Sequence, residues 1–492
     1  MATPSDIYRS SLALLTDFYE LTMAYGYWKA GVADREAVFT HTFRKNPFSG
    51  GFSVSAGLGY LVGVLENFRF REDDLEYLAT LPGSDGKPLF EEKFLEYLGG
   101  LRLSCDIDAM PEGTVVFPHE PLVRVCGPII EGQILESAVL NIVNFQTLIA
   151  TKAARICMAT RGEPVVEFGL RRAHGIDGSL AASRAAYIGG CMATSNVLAG
   201  KLFGIPLRGT HAHSWIMSFD SEMEAFEAYA AAMPNNSVFL VDTYNTLDGV
   251  RHAVEVSKKL RSQGHEMSGV RLDSGDLAYL SIEARKILDE AGFKKAFIAA
   301  SNDLDERIIE SLKEQGATIS VWGVGTKLVT GHEQPALGGV YKMTAVRKPA
   351  GQWQYKLKLS EQSAKISTPG ILQVRRYQDD GLFSGDAIFD ITADLSDGCT
   401  IVDPLDITRR KVMPATAAHS DLLVPIFRRG ERVYSPPPLE HARKLTAEQL
   451  AGLHPSIKRF TFPHEYPVGL EKNLHELKTR LILDARNQRS AS

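Results

Sequence analysis

Two histidines, His211 and His213, stand one residue apart in the segment GTHAHSWIMSF, residues 209–219. Near neutral pH an imidazole can bind a metal, carry a proton or attack as a nucleophile. If the segment is a strand, its period of two turns both rings to one face and leaves a metal pair geometrically open. The sequence offers no His-Glu-x-x-His pair and no cysteine beside them, so the further ligands zinc takes are missing. A hydrogen-bonded structural histidine is the bland alternative. Two other stretches have the form of anion sites. The Gly-x-Gly-Thr of WGVGTK and the turn of LDSGD each follow an apolar run, where backbone N–H groups at a helix start accept phosphate. Simple turns look the same, and Asp273 and Asp276 are also placed as helix caps. Arg171, Arg172 and Arg271 carry planar forks that match carboxylate or phosphate, although rim salt bridges are their ordinary use. Phe168, beside the first two, suits stacking on a flat ring. Together they describe a pocket for a small aromatic acid and a phosphorylated partner.

Residues this far apart in the chain need a scaffold that gathers them. The runs VVEFGLRR, IPLRGTHAH, SVFLVDTYNT, SGVRLDSGD, AFIAASND and TISVWGVGT read as strands, recurring about every thirty residues with helical patterns between them. In residues 277–291 one apolar stripe marks a helix, and Asp303 with Glu306 resembles a capping box. Such alternation implies a parallel sheet, either a closed (β/α) barrel or an open doubly wound sheet. In a barrel the C-terminal strand ends share one mouth, which would gather Phe168, Arg171 and Arg172; Thr210 and His213; Asp242 and Thr243; Arg271, Asp273 and Ser274; Ser301 and Asn302; and Gly323, Gly325 and Thr326.

Around this middle the sequence predicts an N-terminal α/β domain over 1–130, the barrel over 131–335 and a smaller C-terminal α/β region over 336–492. A helix is expected over 11–31, and a long amphipathic one from about Gln133 to Thr160. The last region shows strand-like GGVYKMTAV and WQYKLKLS and a final helix at 470–485, without readable chemistry.

Bulk composition narrows the function classes. Hydrophobic residues make up 44% of the 492 and charged residues 23%, as in globular proteins rather than disordered or fibrous ones. A net charge of −5 without runs of like charge argues against a nucleic-acid partner. Five scattered cysteines with no Cys-x-x-Cys pair fit neither a disulfide framework nor a zinc knuckle. The N-terminus carries no apolar stretch of leader length and no window approaches a membrane span, so a cytoplasmic location is expected.

The motifs LLTDFYELTMAYGYWKAG, EFGLRRAHG, GTHAHSW, VDTYNT, GVRLDSGDL, ASNDLDE and GVGTKLVT, in order from residue 14 to about residue 345, closely resemble the nicotinate phosphoribosyltransferase family. The last third resembles it only loosely. The resemblance implies an irregular (β/α) barrel of the type II phosphoribosyltransferase kind. It implies synthesis of nicotinate mononucleotide from nicotinate and 5-phosphoribosyl 1-pyrophosphate in NAD salvage, with Mg²⁺ and with ATP hydrolysis coupled through a phosphohistidine. By its place in the motif His213 matches that histidine, and His211 has no such counterpart. Tyr19 matches a tyrosine that the family's homodimers supply across the subunit interface, where with Phe168 it would sandwich the pyridine. The resemblance sets Arg271 against the nicotinate carboxylate, makes Thr210 a further substrate-binding residue and sets Arg171 against the phosphorylated substrate. It sets Asp273 at the ribose, with Asp273 or Asp242 stabilising positive character there, and makes Ser301, Asn302, Gly323, Gly325 and Thr326 the 5′-phosphate cradle. Related nicotinamide enzymes carry an aspartate where this chain has His211, and its absence favours the anionic acid. Two rivals share the pocket: a quinolinate-type phosphoribosyltransferase, which needs no ATP and lacks the TDFYELTM and HAHS segments, and a non-catalytic sensor of NAD metabolites.

Overall fold

The structure, a computed structural model, describes residues 11–362 and 365–490. The stretch 1–10, on which the leader-free reading of the N-terminus rests, lies outside the described residues. Contacts divide the chain into two units, one joining the residues up to Leu148 with those from Ala336 onward, the other running from Ile149 to Pro335.

In the first unit, apolar alternation builds two large sheets of mixed order and the two-stranded pair Ser53–Val54 with Val115–Val116. The larger runs in the order Gln354–Tyr355, Gly339–Arg347, Glu36–Phe43, Val123–Pro128, Asp106–Ala109, Val424–Arg428, Glu431–Arg432. Its neighbours pair antiparallel, and Phe39 stacks on Tyr341 with ring centroids 5.2 Å apart. The expected first helix is shorter than its apolar stripe, Phe18–Lys29, because Asp17 is already extended. The helix expected from Gln133 starts later, at Glu136, after a separate short helix Ile129–Ile134; it runs to Ala159.

The second unit holds one parallel six-stranded sheet in the order Ala193–Thr194, Val165–Glu167, Val321–Val324, Phe297–Ala300, Gly269–Leu272, Val238–Leu240. Helices alternate with these strands, as the βα period requires. Asp276 caps the helix Leu277–Glu290 by accepting from Tyr279 N–H, and Asp305 caps Glu306–Glu314 by accepting from Ile308 N–H. The cap is thus Asp305 and not Asp303, whose backbone is left-handed at φ 40°. Behind this cap Glu306 is buried against Lys152 at 2.7 Å and Arg155 at 2.8 Å, which fixes the start of the helix. Among the described residues no helix is long and apolar enough to cross a membrane.

One expected strand is absent. IPLRGTHAH makes a single bridge, Leu207 to Thr194, and His213 begins a short helix, His213–Met217. The two-residue strand Ala193–Thr194 takes the expected place in the sheet. The period-two argument for a histidine pair therefore fails, and the two rings part. His211 is buried, edge-on to Tyr229, and its Nε2 accepts the Leu240 backbone N–H at 3.3 Å. An imidazole side chain thereby links the 207–211 segment at one edge of the sheet to the strand Val238–Leu240 at the other. This irregular closure requires a bare Nε2, and burial keeps the ring neutral by pushing its pKa down from 6.5 to about 4.

His211→Phe keeps the ring contact but strands the Leu240 N–H, and is expected to cost about 1–3 kcal/mol in chemical denaturation. Since the folded-state pKa is depressed, the stabilisation is complete above pH 6.5 and lost as pH falls towards about 4. An unchanged midpoint, or a loss on raising the pH, would contradict this role.

Candidate active site

The strand Gly269–Leu272 ends the apolar register with one cation. Arg271 sits three residues into the strand, largely buried, and its fork reaches three neighbouring segments. Nε–H donates to Ser301 Oγ at 2.9 Å, Nη1 to Thr210 Oγ1 at 3.0 Å and Nη2 to Asp273 Oδ1 at 3.0 Å. Its Cζ lies 5.7 Å from the centre of the Phe168 ring. Four residues read separately in the sequence thus converge on one guanidinium.

Asp273 carries the network onward. Burial works to raise its carboxyl, but the hydrogen bond from Ser301 Oγ and the charge of Arg271 outweigh this and hold it below the ordinary range. Its other oxygen, Oδ2, lies 3.6 Å from His213 Nε2. His213 Nδ1 is within 3.1 Å of Thr243 Oγ1, so both ring nitrogens are addressed while the side chain keeps 39% exposure. Asp242 braces the same turn: Oδ2 accepts the Asp273 N–H at 2.8 Å and the Ser274 hydroxyl at 2.7 Å. Its Oδ1 is buried without a hydrogen-bond partner among the described residues.

The Gly-x-Gly-Thr turn lies against Phe168. A side chain at Gly323 would place Cβ 2.6 Å from the Phe168 ring, so this glycine is required for the aromatic to lie across the strand end. Gly325 precedes the short helix Thr326–Val329, and Asn302 follows Ser301 with φ 100°, a conformation costly for a residue with a side chain. Lys327 pairs with the cap Asp305 at 2.7 Å, tying the two turns together. Ser301 Oγ is engaged by both Arg271 and Asp273.

Arg171 and Arg172 lie on the exposed one-turn helix Leu170–Arg172 that follows Phe168. Tyr19 belongs to the first unit, on the helix Phe18–Lys29, and is 46% exposed; partial burial and Glu136 raise its phenol above the ordinary value. One polar residue at the strand ends is not among the predicted site residues. Glu167 is fully buried and accepts from Gly169 N–H, from Ser183 Oγ at 2.7 Å and from Thr194 Oγ1 at 2.6 Å. Its only sequence signal is a carboxylate in the otherwise apolar run VVEF. No group of three or more His, Cys, Asp or Glu residues suited to a metal occurs among the described residues.

Three family models match the chain in succession: the nicotinate phosphoribosyltransferase (NAPRTase) N-terminal domain over residues 14–144, the NAPRTase family over 164–355 and the C-terminal domain over 373–478. A nicotinate phosphoribosyltransferase from Bacillus subtilis (strain 168) is 43% identical over 484 residues, 96% of this chain and 97% of that protein. The crystal structure of human nicotinic acid phosphoribosyltransferase superposes with a TM-score of 0.83 at 31% identity, covering 95% of this chain and 99% of that one. A nicotinate-nucleotide pyrophosphorylase from Pyrococcus furiosus shares the fold, with a TM-score of 0.68 at 22% identity over 92% of this chain and 97% of that one. Matched along nearly its whole length and carrying the type II phosphoribosyltransferase fold, the chain belongs to the nicotinate phosphoribosyltransferase family.

Proposed function

We propose that this protein transfers the phosphoribosyl group of 5-phosphoribosyl 1-pyrophosphate to nicotinate, forming nicotinate mononucleotide and pyrophosphate in NAD salvage, with ATP hydrolysis coupled through a phosphohistidine at His213. The observation that carries this reading is Arg271 beside the Phe168 ring, a planar cation next to an aromatic face, which together suit a flat anionic acid. Phe168 takes one face of the pyridine and Tyr19 of the partner subunit the other, in a cytoplasmic homodimer with shared sites. His211 is neutral and turned to Leu240, so it sets no negative charge against the nicotinate carboxylate.

In the transfer the pyridine nitrogen donates its lone pair to the ribose anomeric carbon, and the bond from that carbon to pyrophosphate breaks with its electrons on the leaving oxygen. Positive character that develops on the sugar is met by Asp273, which Arg271 and Ser301 keep ionised. The 5′-phosphate lies in the turns that contain Ser301, Asn302, Gly323, Gly325 and Thr326, with Arg171 orienting the phosphorylated substrate. Mg²⁺ usually takes one or two carboxylates and completes its shell with substrate oxygens and water, so a three-residue cage is unnecessary. The unpartnered Asp242 Oδ1 fits such a ligand, and the ion would neutralise the departing pyrophosphate. Phosphorylation of His213 adds negative charge next to Asp273 and thereby changes substrate binding.

Three measurements follow. Incubation with nicotinate, 5-phosphoribosyl 1-pyrophosphate and Mg²⁺ yields pyrophosphate and nicotinate mononucleotide, faster with ATP, and quinolinate gives no product; turnover of quinolinate, or binding of nicotinate without turnover, would favour one of the rivals. Arg271→Ala lowers kcat/KM for nicotinate by about 100-fold or more, and an effect under about threefold would remove Arg271 from carboxylate recognition. His213→Ala abolishes the stimulation by ATP, and stimulation that survives would exclude the phosphohistidine.

A further inference from the structure

Next to Phe168 in the chain lies a buried carboxyl group whose hydrogen bonds go to Gly169, Ser183 and Thr194 rather than to the residues gathered around Arg271. Glu167 ends the strand Val165–Glu167 and is 0% exposed. Its acceptors face three neutral donors: the Gly169 N–H at one oxygen, the Ser183 and Thr194 hydroxyls at the other. No cation pairs with it among the described residues. A buried carboxyl group is costly unless its oxygens are hydrogen-bonded, and here each partner is a donor that would itself be stranded without it. What the carboxylate does supply is a fixed acceptor for a single peptide group, the one joining Phe168 to Gly169.

The peptide on the other side of Phe168 is fixed as well, since the Phe168 N–H donates to Val324 O at 2.8 Å. With a hydrogen bond to each flanking peptide, the Phe168 backbone is held on both sides, and its ring direction follows from that backbone together with its own side-chain torsions. The ring then meets the bare Cα of Gly323 on one side. Gly169 is confined in turn, because a Cβ there would fall 2.3 Å from Val329 Cγ1. The Glu167 anchors come from separate elements. Ser183 lies on the helix Gly175–Ile188 and Thr194 on the adjacent parallel strand, and Asn196 Nδ2 donates to Ser183 Oγ at 3.3 Å. Glu167 therefore transmits the position of a helix and a strand to Phe168.

We infer that Glu167 is a positioning residue for nicotinate: held by Ser183 and Thr194, its carboxylate fixes the Phe168–Gly169 peptide and so sets the angle at which the Phe168 ring meets the substrate beside Arg271. The inference rests on the ring-binding role proposed for Phe168. It assigns Glu167 no contact with substrate and no proton transfer.

Glu167→Ala releases the peptide, whereas Glu167→Gln keeps one oxygen for the Gly169 N–H and can turn its amide to hydroxyls that rotate. Steady-state kinetics are expected to show the nicotinate KM raised about 10-fold or more in Glu167→Ala, the 5-phosphoribosyl 1-pyrophosphate KM within about twofold, and most of the loss recovered in Glu167→Gln. Thr194→Val, which removes one donor and preserves shape, moves the nicotinate KM in the same direction by less. Amide hydrogen exchange without ligand supplies a readout independent of activity: residues 168–172 exchange faster in Glu167→Ala than in wild type, while the strand Phe297–Ala300 is unchanged. A wild type that does not turn over nicotinate would sink the functional reading alone. Unaltered exchange at 168–172, both KM values rising together, or a fall in kcat alone would overturn the positioning role. If Glu167→Ala does not fold, Thr194→Val and Glu167→Gln carry the same comparison.

Discussion

The fork of Arg271 is the constraint on which the site depends. A lysine at this position would offer a single point charge, but a guanidinium holds donors in fixed directions and can bind several partners at once. Here it is bonded to Thr210, Asp273 and Ser301, each on a different segment, and it sits near Phe168. Arg271 and Asp273 together are electrically neutral, and that pair keeps the carboxylate ionised near the histidine. Two of the five guanidinium N–H groups have no role in these three hydrogen bonds, so the cation that assembles the site can also bind an added anion.

The barrel makes this convergence possible because parallel strands deliver their C-terminal ends to one side. The strands are only two to four residues long, so nearly every residue after them lies at the mouth. Neighbouring turns then take complementary shapes. Gly323 gives up its side chain to admit Phe168, and Asp305 with Lys327 ties the turn after Ala300 to the turn after Val324. Regular ladder bonds do not close the circuit. Between the Leu207 bridge and Leu240 the connection passes through His211, so the histidine whose chemistry was most in question serves the fold while its neighbour His213 faces Asp273.

Much of this was legible in the sequence, for a physical reason. Arg271, Asp273, Ser301, Gly323 and Phe168 each stand at or just beyond the end of an apolar run, and the βα period implies that such ends meet. What stayed hidden depends on tertiary contacts. His211 became an acceptor only because Leu240 lies opposite, and no local pattern distinguishes that from a strand histidine. Ala193–Thr194 is too short for periodicity to register, so IPLRGTHAH took its place in the reading. Asp303 and Asp305 are equally good cap residues by type, and backbone conformation decided between them. Glu167 was passed over because one carboxylate in an apolar run carries no spacing signal. Beyond Ala336 some strands form local hairpins, but others pair across long sequence separations, Glu36–Phe43 with Gly339–Arg347 for example, so the sheet order could not be read along the chain.

In the proposed function, strand ends from across the second unit form one receptor for a flat anionic ring, organised by Arg271. A crystal structure of the protein with nicotinate bound tests it directly. The carboxylate is expected within hydrogen-bonding distance of the Arg271 guanidinium and the pyridine stacked on Phe168. Nicotinate found with its carboxylate on another cation, or its ring away from Phe168, would contradict it.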